Sequence, residues 1–148
     1  MLDFQPVKIE DRDLILNNIS ESALQICDFS FANIFCWSVG ENTRIAQKDG
    51  FIFLRSRFNG VKSYAFPWGK SDVKTALKII EEDAKERNAD FSFYCLSEEQ
   101  SEILKEIYGD RLVLHEQRDF FDYVYLREKL ATLSGRKYHS KKNHVNSF

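Results

Sequence analysis

The period of the apolar positions changes several times along this chain. Phe4 to Val7 is a short extended segment. Ile9, Leu14, Ile15 and Ile19 then follow a rough helical spacing, with Glu10, Asp11 and Asp13 in the first turn, where free backbone N–H groups favour acids. Phe31, Ile34, Phe35 and Trp37 predict a second helix over 31–39, capped by Ser30 and ended by Gly40. From Thr43 the period becomes two. Thr43 to Lys48 alternates, Asp49-Gly50 signals a tight hairpin, and Phe51 to Phe58 reads as a strand. Asn59-Gly60 signals a second hairpin, and a third strand, Ser63 to Phe66, stops at Pro67. These three strands predict an antiparallel meander.

The helical period returns over Asp72 to Asn88. Val73, Ala76, Leu77, Ile80 and Ala84 form one stripe, Glu81, Glu82, Lys85 and Glu86 face water, and Ser71 is the expected cap. Phe91 to Leu96 reads as a buried strand. Ser97-Glu98-Glu99-Gln100 fits a capping box, and its helix runs to Tyr108 and stops at Gly109. Leu112 to His115 and Phe120 to Leu126 read as two further strands. From Ser134 the chain turns helical again and reaches Phe148 without a C-cap. This order predicts an α/β (α+β) fold, a mixed, largely antiparallel central sheet flanked by helices. It is similar to the element order of the GNAT acyltransferase fold, and topology alone does not assign function.

Composition fits one ordinary domain. The chain has 148 residues, 43% hydrophobic and 30% charged, with only 6 Gly and 2 Pro, which excludes disordered and collagen-like classes. Three cysteines without a CxxC motif exclude a disulfide framework and a zinc ribbon. No apolar run reaches about 18 residues, and the acidic start Met1-Leu2-Asp3 is unlike a signal peptide, so the expected location is cytoplasmic. The net charge of −2 hides a split. Four of the 21 basic residues lie beyond Gly135 with no acid among them, which leaves 17 basic against 23 acidic residues in positions 1–134. An acidic body carries a basic tail, which suits an anionic partner or docking surface, although a charge run alone more often marks a solvated helix face.

Candidate chemistry is sparse. The loop Phe66-Pro67-Trp68-Gly69-Lys70-Ser71 precedes a helix, as an acyl-CoA pyrophosphate loop would. It has one Gly and a bulky Trp where a second small residue is needed, so the reading preferred is a turn whose Trp68 packs on the sheet. Gly50 to Arg55 is a partial match to an RNA-recognition strand, but Asp49, Ile52 and Ser56 depart from that pattern. Phe51 and Phe53 therefore read as core. His139 and His144 are five apart, roughly 140° around a helix, so they do not share a metal-ligand face, and no metal site is expected. Cys27, Cys36 and Cys95 read as inert core thiols. Asp119 and Asp122 read as strand-end polar residues, and no catalytic residue is assigned. The tail places Tyr138, Val145 and Phe148 on one rough side of a helix. Such a helix is not self-sufficient and needs a second surface or an anion.

Arg118-Asp119-Phe120-Phe121-Asp122-Tyr123-Val124-Tyr125-Leu126, followed by Leu133-Ser134-Gly135-Arg136-Lys137-Tyr138-His139-Ser140-Lys141-Lys142-Asn143-His144, resembles the signature of the phosphatidylglycerol lysyltransferase C-terminal-like domain family. Phe29-Ser30-Phe31-Ala32-Asn33 with Trp37, and Phe66-Pro67 with Gly69, agree with it. The resemblance implies two tandem GNAT-like lobes joined by a basic helix. Residues 1–133 would be the N-terminal lobe, and 134–148 the joint and the start of a second lobe. It also implies transfer of an aminoacyl or acyl group, from aminoacyl-tRNA in the lysyltransferases, with catalytic residues mostly in the second lobe. Only Arg136, Lys137, His139, Lys141, Lys142 and His144 carry over, as substrate-binding candidates lining the cleft. The lobe itself is expected to hold no cofactor and to be inactive alone. The other reading is a non-enzymatic binding module whose basic helix grips RNA or an anionic lipid surface.

Overall fold

The computed structural model describes residues 1–19, 26–58, 60–69 and 72–148. They divide into two compact units, Met1–His115 and Glu116–Phe148.

The first unit is built on the meander. Its strands are β1 (Gln5–Pro6), β2 (Arg44–Lys48), β3 (Phe51–Phe58), β4 (Val61–Tyr64) and β5 (Trp68–Gly69). They pair antiparallel in the order β1-β2-β3-β4, and β5 pairs with β3 beyond β4 on the same side. Asp49 and Gly50 both have positive φ, 51° and 78°, as a two-residue hairpin turn requires. Asn59 of the second hairpin signal lies outside the described residues, but Phe58 and Val61 are paired in register.

β3 is buried on both faces, so its side chains define two cores. Phe51 and Phe53 point to one side, where α3 (Val73–Glu86) brings Ala76, Ile79, Ile80 and Ala84. Ile52 and Leu54 point to the other, against Ile15 of α1 (Arg12–Ile19), Ile34 of α2 (Phe31–Trp37), Phe29 and Trp68. A third cluster joins Leu104 of α4 (Glu98–Tyr108) to Leu77 and Phe66. The result is the predicted mixed α/β architecture with helices flanking a largely antiparallel sheet, and Phe51 and Phe53 are core as expected. Among the described residues no helix is long and apolar enough to cross a membrane.

The capping signals operate as read. Ser97 Oγ accepts from the Gln100 amide at 3.2 Å and Gln100 Oε1 accepts from the Ser97 amide at 3.1 Å. Ser30 caps α2 through the Asn33 amide at 3.3 Å. The cap of α3 is Asp72, which accepts from the Lys74 and Thr75 amides, not Ser71, which lies outside the described residues. Those bonds hold the Asp72 carboxyl below its usual value.

Three expected strands are absent. Phe91 to Leu96 contributes a single parallel bridge, Phe93 to Tyr64, flanked by hydrogen bonds from the Tyr64 amide to Ser92 and from the Tyr94 amide to Tyr64. Leu112–His115 has no regular structure. Phe120–Leu126 begins at the end of a short 3-10 turn (Arg118–Phe120) and then runs without pairing. Their residue types favour strands, but alternation makes a strand only where another backbone supplies a run of hydrogen bonds; Phe91–Leu96 meets one only at Tyr64, and among the described residues no strand pairs with the other two segments. The second predicted helix also ends early, at Trp37, because Ser38 to Asn42 turn back toward β2.

Asp83, on the inner face of α3, ties the amino end to this core. It is 1% exposed. Its carboxylate accepts from the Leu2 amide at 2.6 Å, the Tyr64 hydroxyl at 2.8 Å and Arg87 Nε at 2.8 Å. Arg87 also donates to the Leu2 carbonyl and lies 5.5 Å from the Phe4 ring centroid. Burial alone would raise the Asp83 pKa. The hydrogen bonds from Arg87, Leu2 and Tyr64 outweigh it and hold the carboxyl below its ordinary value.

The second unit holds a short helix α5 (Arg127–Thr132), a 3-10 turn (Arg136–Tyr138) and α6 (His139–Asn146). α5 is an element the sequence pattern did not suggest. Leu133, at φ 45°, ends it, and Gly135, at φ 95°, turns the chain into the basic tail.

Candidate functional site

The six predicted basic and histidine positions all lie in the second unit and are all exposed. Gly135 lets the chain enter the 3-10 turn that carries Arg136 and Lys137. α6 then carries His139, Lys141, Lys142 and His144. Two of the six converge. Lys141 Nζ lies 5.1 Å from the Tyr125 ring centroid and Lys137 Nζ 6.0 Å from that of Tyr138. The two tyrosine rings are themselves 6.4 Å apart. A cation over a π face stays available to an anion on its other side. His144 packs edge-on against Phe148 at 5.7 Å, so it belongs to a different contact. Arg136, His139 and Lys142 join neither group. Among the described residues none of the six makes an ion pair, so their charge is uncompensated.

This unit buries none of its side chains. Phe120, Phe121, Tyr123, Val124 and Leu126, from the quoted signature, are exposed, as are Val145 and Phe148. Tyr125 is the aromatic that sequence reasoning did not single out. A strand reading put it on a sheet, whereas the irregular backbone lets its ring meet Tyr138.

The loop before α3 has a structural explanation. Trp68 is 1% exposed and packs edge-on against Phe29 at 5.4 Å, so it does pack on the sheet. Gly69 backs onto β3. A Cβ there would lie 2.5 Å from Phe51 Cδ1 and 2.9 Å from the Gly50 carbonyl oxygen. Its lack of a side chain serves this close approach.

The first unit also contains a concave pocket of about 270 Å³, which sequence reasoning missed. Its polar floor is a chain of hydroxyls, with Thr43 Oγ1 2.8 Å from Ser56 Oγ and Ser56 Oγ 3.0 Å from the Tyr94 hydroxyl. Asp28, Asn33, Ile34, Trp37 and Glu41 line the rest. Burial, followed by the negative charge of Asp28, raises the Glu41 pKa. Burial likewise raises that of Tyr94. The lining comes from the Asp28 turn, α2, the turn before β2, β3 and the bridge at Phe93. No single stretch of sequence carries its signature.

The thiols correct the core reading for Cys27 and Cys36, while Cys95 does pack against the core cluster around Ile52 and Leu54. Cys27 and Cys36 are exposed and Cys95 is half-buried. Asp28 sits beside two of them, with Cys27 Sγ 4.0 Å from Oδ1 and Cys95 Sγ 3.5 Å from Oδ2. Apolar neighbours in sequence suggested burial, but Cys27 lies in a 3-10 turn, and Cys95 has a positive φ of 50° just past the bridge. Neither follows the inward period of a strand. Asp119 and Asp122 likewise flank an exposed segment that is not a strand.

The architecture and the basic segment define a mixed α/β lobe followed by a cationic stretch with no core of its own. The sequence model described as phosphatidylglycerol lysyltransferase, C-terminal, matches residues 20–148, and the chain belongs to this family. It is also similar to a solved structure, a conserved protein of unknown function from Bacteroides thetaiotaomicron VPI-5482. That likeness has a TM-score of 0.88 at 32% identity, over 99% of this chain and 50% of the other. The chain thus spans half the length of that protein. Among curated proteins none matches it.

Proposed function

We propose that this chain acts as the N-terminal lobe of a two-lobe, cytoplasmic aminoacyl- or acyltransferase-like protein and needs a second, GNAT-like lobe for turnover. Arg136, Lys137, His139, Lys141, Lys142 and His144 help hold a phosphate-rich donor of the aminoacyl-tRNA type. The observation that carries this reading is the second unit. Among the described residues its six candidate cations and histidines make no ion pair, two of them rest on tyrosine rings, and none of its apolar side chains is fully buried. Exposed apolar groups in such density favour a further protein surface, and uncompensated cations favour phosphate. The half-length match to a longer relative supports the same reading.

The test is tRNA binding at rising salt, together with a transfer assay using charged tRNA. Lys141→Glu with Lys142→Glu is expected to weaken binding by about tenfold or more at low salt and to flatten its salt dependence. Retained affinity in that variant would remove the tail from the donor site. Full turnover by this chain alone would overturn the need for a second lobe. Binding to tRNA that survives reconstitution of the longer protein without any transfer would favour the binding-module reading instead.

A further inference from the structure

The pocket in the first unit has an unusual inventory of hydrogen-bonding groups. Its buried hydroxyls bond one another in the Thr43–Ser56–Tyr94 chain. Asn33 gives its amide nitrogen to the Cys27 carbonyl at 2.9 Å, which leaves its side-chain oxygen as an acceptor. Glu41 is half-buried, and among the described residues its carboxylate has no hydrogen-bond or ion-pair partner. Asp28 contributes a second carboxylate. No lysine or arginine lines the pocket among the described residues. The free capacity is therefore mostly that of acceptors, and the charge is wholly negative.

Trp37 completes the arrangement. It lines the pocket yet is 62% exposed, a large indole left uncovered beside two carboxylates. An aromatic face, anionic acceptors and a half-enclosed volume together suit a positively charged donor with an aliphatic stem. A neutral or anionic ligand would leave Glu41 desolvated without compensation.

We propose that this pocket binds a small organic ammonium ion, with Glu41 and Asp28 as its counter-ions and Trp37 as the wall against its aliphatic stem. Glu41 has no hydrogen-bond or ion-pair partner among the described residues, so a partner from outside meets an acceptor already in place. Burial first, and then the negative charge of Asp28, raise the Glu41 pKa, and an ammonium there relieves both. The proposal concerns the first unit and does not rest on tRNA binding by the second.

The chain has 2 tryptophans, and Trp68 is buried, so Trp68→Phe isolates the Trp37 fluorescence. In that background n-butylammonium is expected to change the Trp37 emission saturably, whereas n-butanol, of matching shape and no charge, leaves it unchanged over the same range. Calorimetry on the unmodified chain provides the same comparison without a core substitution. Glu41→Gln is expected to weaken butylammonium binding by about tenfold. Thermal stability stays as before, because the Glu41 carboxylate makes no hydrogen bond or ion pair among the described residues, and tRNA binding is likewise unaffected. Equal responses to butylammonium and butanol, or unchanged affinity in Glu41→Gln, would overturn the proposal while leaving the donor-binding reading of the basic tail intact.

Discussion

Asp83→Ala is expected to be among the most destabilising single changes in this chain, costing about 3–5 kcal/mol. Three donors converge on that carboxylate, and the substitution strands all of them: the Leu2 amide, the Tyr64 hydroxyl and the Arg87 guanidinium. Arg87 would then be a largely covered cation without its acid. Urea denaturation monitored by circular dichroism gives the measurement. A loss below about 1 kcal/mol, the net worth of an ordinary hydrogen bond, would show that the amino end is held some other way.

The same node sets two limits on pH stability. Asp83 is held below its ordinary value, so its contribution is present above the unfolded pKa and is lost as pH falls through the folded one. Tyr64 behaves oppositely. Burial, and then its hydrogen bond to Asp83, push its pKa up to about 12. Its contribution is complete below the unfolded value of about 10 and is lost between about pH 10 and 12. Stability curves of the unmodified chain should fall in that alkaline window, and Tyr64→Phe should flatten the fall.

Gly69→Ala is expected to cost about 1–3 kcal/mol through overpacking. The new methyl would meet Phe51 Cδ1 at 2.5 Å and the Gly50 carbonyl oxygen at 2.9 Å. Phe51 is 2% exposed and held in the core beneath α3, so its ring cannot swing away cheaply. The denaturation midpoint distinguishes this role from an anion cradle. A glycine needed only for backbone access to phosphate would tolerate alanine in stability and lose affinity for the ligand. Here the loss should appear in stability without any ligand present.

What the sequence revealed follows the range of each signal. The Asp49-Gly50 hairpin, the α3 stripe and the Ser97–Gln100 box each act within a few residues, and each is present in the structure. The expected strands at 112–115 and 120–126 rested on residue types alone, and whether a second backbone lies alongside is not written locally. The basic tail was legible because charge is a composition property, yet its tyrosine platform was not, since Tyr125 and Tyr138 meet only through irregular backbone. The acceptor-lined pocket was the least legible. Asp28, Glu41 and Tyr94 come from segments far apart in the chain, and each alone looks like an ordinary polar or core residue.

The bond between Leu2 and Asp83 also imposes a timetable. It spans 81 positions, so during synthesis the amino end emerges long before its partner. At ~5–20 residues per second the delay is on the order of several seconds. Through that interval the Leu2 amide lacks its native acceptor, and β1 has no pairing partner until β2 is made. Lengthening the intervening chain raises the entropic cost of closure only slowly, so the wait itself adds little to the free energy of the finished lobe. Its consequence is one of order: Leu2 to Pro6 are made before the segments they dock on, and the lobe locks only after the α3 segment carrying Asp83 is available.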